Sequence, residues 1–265
     1  MAALPRRRLM GIVRALWMVF WMTIATFSYG GMAIILALFG VRGHLFVAWS
    51  RQWARIALWS SESRAVAHGM ENVKPGEPFI LVANHVSWFD VFAIAVLLKV
   101  DFHFVAKKEL ERVPVFGLAW KAAGHISIDR SNRERAVESL RVAGQQMREQ
   151  RSVVIIFAEG TRSRTGRLQP FKKGAFVLAH ESGIPIIPTV VTGSYDIMRP
   201  DTFSVRPATI HVYFEPPVTV RPGEDLEALT ERVRAVFVER LAETESMPPL
   251  EAGREEVSGS ARRAS

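Results

Sequence analysis

Cysteine is absent from the 265 residues of this chain. Its absence excludes disulfide bonds, thiolate metal sites and a catalytic cysteine that carries an acyl group. A Gly-x-Ser-x-Gly sequence is also absent, and Gly193-Ser194-Tyr195 does not fit the nucleophile turn of a serine hydrolase. The chain has no internal repeat. A location that faces the cytosol is compatible with the lack of cysteine.

Charge is strongly biased towards the basic side. Lysine and arginine number 34 against 26 aspartates and glutamates, the net charge is +8, and the pI is about 10.3. An anionic partner is therefore expected: nucleic acid, a membrane surface or a phosphorylated substrate. No nucleic-acid-binding motif accompanies the charge. The length suits one α/β catalytic domain with additional segments.

The N-terminal segment is apolar and too long for a signal-peptide core. Residues 15–41 contain no charged side chain, a run longer than the roughly 20 residues that one membrane-spanning helix needs. Arginines lie on both sides of it, so the positive-inside rule gives no clear orientation. We expect a retained membrane segment, either a tilted single span or a re-entrant hairpin with Gly30-Gly31 in its middle.

The next stretch has the pattern of an amphipathic helix. Residues 44–60 place three tryptophans around Arg51 and Arg55, which predicts a helix at the membrane surface. The alternative is an ordinary amphipathic helix on the domain core. The predicted divisions are an N-terminal membrane segment with this interfacial helix (1–62), an α/β catalytic domain (63–246) and a disordered tail (247–265).

From residue 78 onward, short apolar runs alternate with helical patterns. Predicted strands cover residues 79–83, 102–106, 126–128, 153–157, 186–191 and 209–214. Predicted helices cover residues 115–122, 132–150, 173–181 and 225–242. This alternation predicts an α/β sheet with helices on its faces.

A polar turn, Asn84-His85-Val86-Ser87-Trp88-Phe89-Asp90, follows the first of these strands. Ser87, with Asp90 three positions later, is a capping-box pattern that predicts Ser87 as the helix N-cap. His85 then lies in the turn, where the Asp90 carboxylate can reach an imidazole nitrogen and fix its tautomer. The pair is a candidate general base. The alternative is that Asp90 only caps the helix and His85 is a turn residue.

A second polar stretch, Glu159-Gly160-Thr161-Arg162-Ser163, follows the strand at 153–157. If the strands are parallel, both stretches open on one edge of the sheet. Arg162 can bind phosphate bidentately, Gly160 allows close backbone approach, and Glu159 can position a hydroxyl or hold Arg162. The alternative is a surface turn with a local ion pair.

Further basic residues lie near these stretches in the sequence. Arg130, after the strand at 126–128, is either a second phosphate ligand or the partner of Asp129 in an ion pair. Lys173 belongs to a group of basic residues that follows Ser163. We expect only some of these residues to face a pocket shared by the two polar stretches.

The chain resembles the glycerolipid acyltransferases that acylate lysophosphatidic acid, the 1-acylglycerol-3-phosphate O-acyltransferases. The resemblance covers about residues 79–214 and rests on four ordered blocks. These blocks are His-x4-Asp at His85 and Asp90, the block ending Ile128-Asp129-Arg130, Glu-Gly-Thr-Arg-Ser at residues 159–163, and an apolar run ending at Pro188. His-x4-Asp alone is a weak signal, whereas four blocks in this order are specific.

The resemblance implies a glycerolipid acyltransferase-like α/β sheet and a reaction. His85, oriented by Asp90, would take the proton from a glycerol hydroxyl that attacks an acyl thioester, acyl-CoA or acyl carrier protein, to give phosphatidic acid. No metal, cofactor or covalent intermediate is needed. The substrate-binding candidates are Arg130, Glu159, Gly160, Thr161, Arg162 and Lys173, with Pro188 on the acyl-donor side. A buried strand ending in proline is the simpler interpretation of Pro188.

The N-terminal segment predicts a location, and the reaction implied by the resemblance predicts the partners. We expect attachment to the inner or plasma membrane, with the catalytic domain facing the cytoplasm. Membrane lipid, a lysophospholipid acceptor and the acyl donor are the expected partners, and nucleic acid is not.

The third block departs from the family pattern, because Ala158 stands where proline usually precedes the glutamate. This change relaxes a backbone constraint beside the phosphate site and leaves another lyso-lipid, such as a lyso-ornithine lipid, as an alternative acceptor. Two other functions remain as alternatives: a basic membrane-binding protein without catalysis, and a hydrolase that uses His85 and Asp90 on an ester or thioester.

Overall fold

The computed structural model describes residues 6–41, 44–129, 133–200 and 202–246. Seven strands form one sheet in the order β1-β7-β6-β2-β5-β3-β4. The strands are β1 (Arg64–His68), β2 (Ile80–Ala83), β3 (Phe102–Lys107), β4 (Ile126–Ile128), β5 (Val153–Phe157), β6 (Ile186–Thr192) and β7 (Thr209–Phe214). Neighbouring strands are parallel except for β6 and β7.

Eight α-helices accompany the sheet within the described ranges. They are α1 (Arg6–Leu38), α2 (His44–Ser60), α3 (Phe89–Leu97), α4 (Phe116–Ala122), α5 (Arg133–Gln150), α6 (Gly174–Ser182), α7 (Ser194–Ile197) and α8 (Leu226–Ser246). The α/β architecture predicted from the alternation is confirmed. Strand β1 was not predicted, because Arg64-Ala65-Val66-Ala67-His68 has little apolar surface and lies half-buried at the sheet edge.

The central strands are buried on both faces, which explains their continuous apolar runs. One face packs Leu81 and Ile155 against α1 to α4 and α7. The opposite face packs Val82 and Val154 against α5, α6 and α8. Alternate residues of each strand therefore belong to two separate cores, and a polar residue after a strand has a defined face.

The connection from β2 to α3 differs from the predicted capping box. Helix α3 begins at Phe89, and Trp88, already in helical conformation, is its N-cap; Ser87 as the N-cap is wrong. The Ser87 hydroxyl accepts a hydrogen bond from Phe89 N–H at 3.4 Å. This donor is two residues after Ser87, whereas a capping box uses the N–H three residues after the serine. The carboxylate half of the box is present, because Asp90 Oδ2 accepts the Ser87 N–H at 2.8 Å.

The N-terminal segment is one continuous helix, so a hairpin at Gly30-Gly31 is wrong. By length and composition, Arg8–Leu38 could cross a membrane. Gly30 serves close packing instead of a turn: a Cβ there would lie 2.5 Å from Val115 Cγ1, whereas one on Gly31 would meet nothing within 4 Å. Near the other end of α1, Gly11 O accepts the Val205 N–H at 3.0 Å.

Helix α2 packs on the domain core, as the alternative interpretation of its amphipathic pattern expects. Ala54 and Ala57 are buried in the domain core, and Arg51 donates hydrogen bonds to the carbonyl oxygens of Leu98 (2.9 Å) and Val100 (2.5 Å). The opposite side leaves Trp59 exposed. The predicted tail at 247–265 lies outside the described residues.

His125, in the loop before β4, lies between two aromatic rings. Its ring centroid is 4.4 Å from that of Trp120 and 5.7 Å from that of Phe104, and its Nδ1 accepts the Phe104 N–H at 3.3 Å. Burial disfavours the charged imidazolium and, with repulsion from His103, lowers the pKa of His125 to about 3. The ring therefore packs in its neutral form.

The packing of α1 predicts opposite effects for the two adjacent glycines. Gly31→Ala should raise the free energy of unfolding by about 0.5–1 kcal/mol, because alanine is the better helix former and the site is open. Gly30→Ala should lower it by about 1–3 kcal/mol, because the methyl group displaces Val115. Thermal unfolding in detergent micelles measures both changes. Stabilisation by both substitutions would contradict the close packing of α1 at Gly30.

His125 predicts a loss of stability in acid. The folded-state pKa of His125 is about 3 against an ordinary pKa of 6.5, so its contribution to stability is complete above pH 6.5 and is lost as the pH falls towards 3. Between about pH 6 and pH 4, the free energy of unfolding should fall less steeply in His125→Gln than in the wild type, by about 1 kcal/mol per pH unit. Urea denaturation at several pH values tests this; equal slopes would refute it.

Candidate active site

The two polar stretches meet at one edge of the sheet. Strands β2 and β5 are parallel neighbours, with Ala83 opposite Phe157 at their ends. The His85 ring stacks on the Phe157 ring, with centroids 4.0 Å apart and planes 19° apart. The Ser163 N–H donates to His85 O at 2.8 Å. The side chains that follow β2 and β5 therefore share one site.

The Asp90 carboxylate holds His85 and the turn around it. Asp90 Oδ2 lies 2.8 Å from His85 Nδ1 and accepts the N–H groups of Val86 (2.7 Å) and Ser87 (2.8 Å). The Ser194 hydroxyl donates to Asp90 Oδ1. The Asp90 side chain is fully buried, whereas 13% of the His85 side chain is exposed. Because Nδ1 faces Asp90, Nε2 is the ring nitrogen that can receive a proton from a substrate hydroxyl.

Glu159 holds the backbone of His85 in place. Its Oε1 accepts the His85 N–H at 2.9 Å, and its Oε2 accepts the Gln169 N–H (3.1 Å) and Gln169 Nε2–H (2.9 Å). Burial raises the pKa of the Glu159 carboxyl, while the hydrogen bonds from His85 and Gln169 oppose that shift. The predicted contact of Glu159 with Arg162 is replaced by these bonds.

Arg162 lies in an exposed turn beside His85. Its guanidinium carbon is 4.8 Å from the centre of the exposed Trp88 ring, and among the described residues no carboxylate pairs with it. Gly160 has a φ of +72° and donates its N–H to Phe157 O at 3.0 Å, which makes the turn tight. Thr161 is exposed, and its carbonyl oxygen accepts Gln169 Nε2–H at 3.2 Å. The local ion pair that was the alternative for this turn is not formed between Glu159 and Arg162.

Ala158 is tied to the site through both of its backbone groups. Its N–H donates to Ala83 O at 2.9 Å, and its carbonyl oxygen accepts the Lys172 N–H at 2.7 Å. A proline could not make the first of these bonds. The constraint that proline would impose is therefore replaced here by an added link between the ends of β2 and β5.

Two predicted substrate-binding residues, Lys173 and Pro188, do not join this group. Lys173 is exposed and its Nζ lies 2.8 Å from the Glu227 carboxylate of α8, because α6 starts at Gly174 on the far side of the sheet. Pro188 is buried within β6, opposite Val82, and by strand alternation it faces the core under α6 and α8, whereas His85 lies on the other face. Arg130 lies outside the described residues.

Pro188 does not end its strand, which continues to Thr192. It tolerates the lack of an N–H because it lies one residue beyond the last pairing of β6 with β7, Thr189 with Phe214. Its carbonyl oxygen still accepts the Glu215 N–H at 2.9 Å. A structural role therefore accounts for this residue.

Sequence reasoning missed Ser194 and Gln169. The signal for Ser194 was its position: it comes two residues after the end of β6, as His85 does after β2 and Glu159 after β5. Polar residues at that offset converge because these three strands are parallel neighbours. Gln169 lies in an irregular loop, and no pattern marks it.

The sequence was compared with family models and with known proteins. The family model described as Acyltransferase matches residues 64–192. A 1-acyl-sn-glycerol-3-phosphate acyltransferase of Cocos nucifera is 37% identical over 178 residues, which cover 66% of this chain and 58% of the relative. The enzyme of the same name from Limnanthes douglasii is 39% identical over 163 residues, covering 62% and 57%. The chain thus spans less than three fifths of the length of these curated relatives.

A crystal structure described as the 1-acyl-sn-glycerophosphate (LPA) acyltransferase of Thermotoga maritima has the same fold. It superposes with a TM-score of 0.77 at 24% identity and covers 91% of this chain and 99% of its own. The family predicted from the four sequence blocks is confirmed by these matches. Residues 64–192 match the acyltransferase family model, and the chain is similar to 1-acyl-sn-glycerol-3-phosphate acyltransferases.

Proposed function

We propose that the chain transfers a fatty acyl group from an acyl thioester to the free hydroxyl of 1-acylglycerol 3-phosphate, which gives phosphatidic acid. The observation that carries this proposal is the His85–Asp90 pair, joined at 2.8 Å at the sheet edge where Arg162 lies exposed. The similarity to 1-acyl-sn-glycerol-3-phosphate acyltransferases supports the same reaction.

In the proposed reaction, His85 acts as a general base. Nε2 takes the hydroxyl proton while the hydroxyl oxygen attacks the thioester carbonyl carbon. The carbon–sulfur bond of the resulting tetrahedral species then breaks. His85 returns the proton to the sulfur, and the thiol leaves. Asp90 holds the ring through Nδ1 and stabilises the imidazolium that forms, a form of help typically worth about 10²- to 10⁴-fold in rate. The reaction requires no metal or prosthetic group, since acyl-CoA or acyl carrier protein enters as a substrate.

Arg162 is the side chain best placed to bind the acceptor phosphate. Its contact with Trp88 is worth only about 0.5–1 kcal/mol at an exposed site, so a phosphate can draw the guanidinium away. The tight turn at Gly160 brings backbone close to the same region. Arg130 stays a predicted second ligand. The donor thioesters are both anionic and suit the net charge of +8.

The packing of α1 supports attachment to one membrane face. Contacts to the α/β domain at Gly11 and Gly30 lie 19 residues apart, or about 28 Å along the helix. This distance nearly equals the roughly 30 Å hydrocarbon core, so a spanning α1 would carry domain loops into the bilayer. The side of α1 away from the domain is apolar and exposed, as at Phe20 and Phe27. We infer that this side enters the cytoplasmic leaflet of the inner or plasma membrane.

His85→Ala should lower the rate of acyl transfer by about 10²- to 10⁴-fold. The assay offers labelled acyl-CoA or acyl carrier protein with lysophosphatidic acid, glycerol 3-phosphate or a lyso-ornithine lipid as acceptor. His180→Ala, which removes an exposed histidine of α6, is the matched control and should keep full activity. Transfer to a different acceptor would overturn the proposed substrate. Equal rates for wild type and His85→Ala would overturn the proposed mechanism.

Charge placed on the exposed side of α1 should weaken membrane binding. Phe20→Glu with Phe27→Glu should reduce co-sedimentation with vesicles of phosphatidylethanolamine and phosphatidylglycerol at least tenfold, because a charge in the apolar layer costs about 2.5–3.5 kcal/mol. Val238→Glu alters an exposed apolar residue of α8, and this variant should bind as the wild type does. Unchanged sedimentation of the double variant would place the membrane contact elsewhere.

A further inference from the structure

Ser194 touches the proposed catalytic pair, although it lies 104 positions from Asp90 in the sequence. The side chain is fully buried and its hydroxyl donates to Asp90 Oδ1. Neither the polar stretch at His85 nor the one at Glu159 contains it. Its place in the site depends wholly on the tertiary structure.

Gly193 sets the direction from which Ser194 reaches Asp90. Strand β6 ends at Thr192, and Gly193, with a φ of +82°, turns the chain into α7. A Cβ on Gly193 would lie 2.2 Å from the carbonyl oxygen of Thr209, so only glycine fits this position. Ile197 of α7 is fully buried against the same core as α3. The turn and the short helix are therefore fixed relative to Asp90.

The donors to Asp90 divide unequally between its two oxygens. Oδ2 receives three N–H groups, from His85, Val86 and Ser87. Within the described part of the chain, Ser194 is the donor to Oδ1. Without this hydroxyl, one oxygen of a fully buried carboxylate would lack a donor, and rotation of the carboxylate towards another donor would move Oδ2 from His85 Nδ1.

We propose that Ser194 is a positioning residue for the His85–Asp90 pair: its hydroxyl fixes the carboxylate plane so that Oδ2 stays on His85 Nδ1. The proposal rests on the proposed function, in which His85 is the base. Ser194 acts through Asp90 and touches neither acceptor nor donor. Its loss should therefore lower kcat and leave the KM of both substrates unchanged.

The kinetic test compares two substitutions at Ser194 with one at another buried serine. Ser194→Ala should lower kcat by about tenfold or more, the usual effect of losing a hydrogen bond to a charged group. Ser194→Thr keeps the hydroxyl and should restore at least half of the wild-type kcat. Ser61→Ala removes a fully buried hydroxyl that donates to Leu58 O at 2.9 Å, and its kcat should match the wild type.

A spectroscopic test separates positioning from a general loss of stability. The Nδ1–H proton of His85 should give a far-downfield NMR signal in ¹⁵N-histidine-labelled protein, identified by its absence from His85→Ala. The signal should move upfield or disappear in Ser194→Ala and stay unchanged in Ser61→Ala. This measurement needs no turnover and therefore does not depend on the choice of acceptor.

The outcomes distinguish this proposal from the proposed function. Full kcat and an unmoved Nδ1–H signal in Ser194→Ala, with His85→Ala inactive, would overturn the role of Ser194 alone. Equal activity of wild type and His85→Ala would overturn the function on which that role rests. If Ser194→Ala does not fold, Ser194→Cys, which keeps the bulk with a weaker donor, decides: reduced kcat with unchanged KM supports positioning, and full kcat overturns it.

Discussion

A fully buried carboxylate that receives hydrogen bonds on both oxygens organises this protein. Burying the Asp90 charge is costly unless donors surround it. The donors come from two distant parts of the chain: the turn at His85, Val86 and Ser87, and Ser194 at the start of α7. The hydrogen bonds to the Asp90 carboxylate therefore order the turn, position the imidazole and link α3 to the end of β6.

The sheet makes this convergence possible. Strands β5, β2 and β6 are parallel neighbours, and each is followed at the same offset by a polar side chain: Glu159, His85 and Ser194. Glu159 holds the backbone of His85, and Ser194 holds its carboxylate partner. Two of the three polar side chains thus hold the third in position. The exposed Arg162, by contrast, contacts the Trp88 ring and forms no ion pair within the described part of the chain, which suits a group that must meet a substrate.

The N-terminal helix shows how packing limits what composition allows. By length and hydropathy α1 could span a bilayer. Its contacts at Gly11 and Gly30 fasten it along the α/β domain, so the apolar side that remains exposed is the surface available to lipid. Composition measures only how apolar a segment is, and cannot tell which of its faces the protein itself covers.

Local patterns in the sequence determined much of this protein: the alternation of strands and helices, the His85–Asp90 contact across a turn, and the four blocks that indicate the family. These depend on residues close together in the chain, where spacing alone sets geometry. Tertiary structure decided the rest. Lys173 pairs with Glu227, and Pro188 faces the opposite core. Glu159 accepts a hydrogen bond from the His85 backbone, and Ser194 donates one to Asp90. Such pairings depend on strand order and on which face each residue occupies, and neither is encoded in the spacing of one segment.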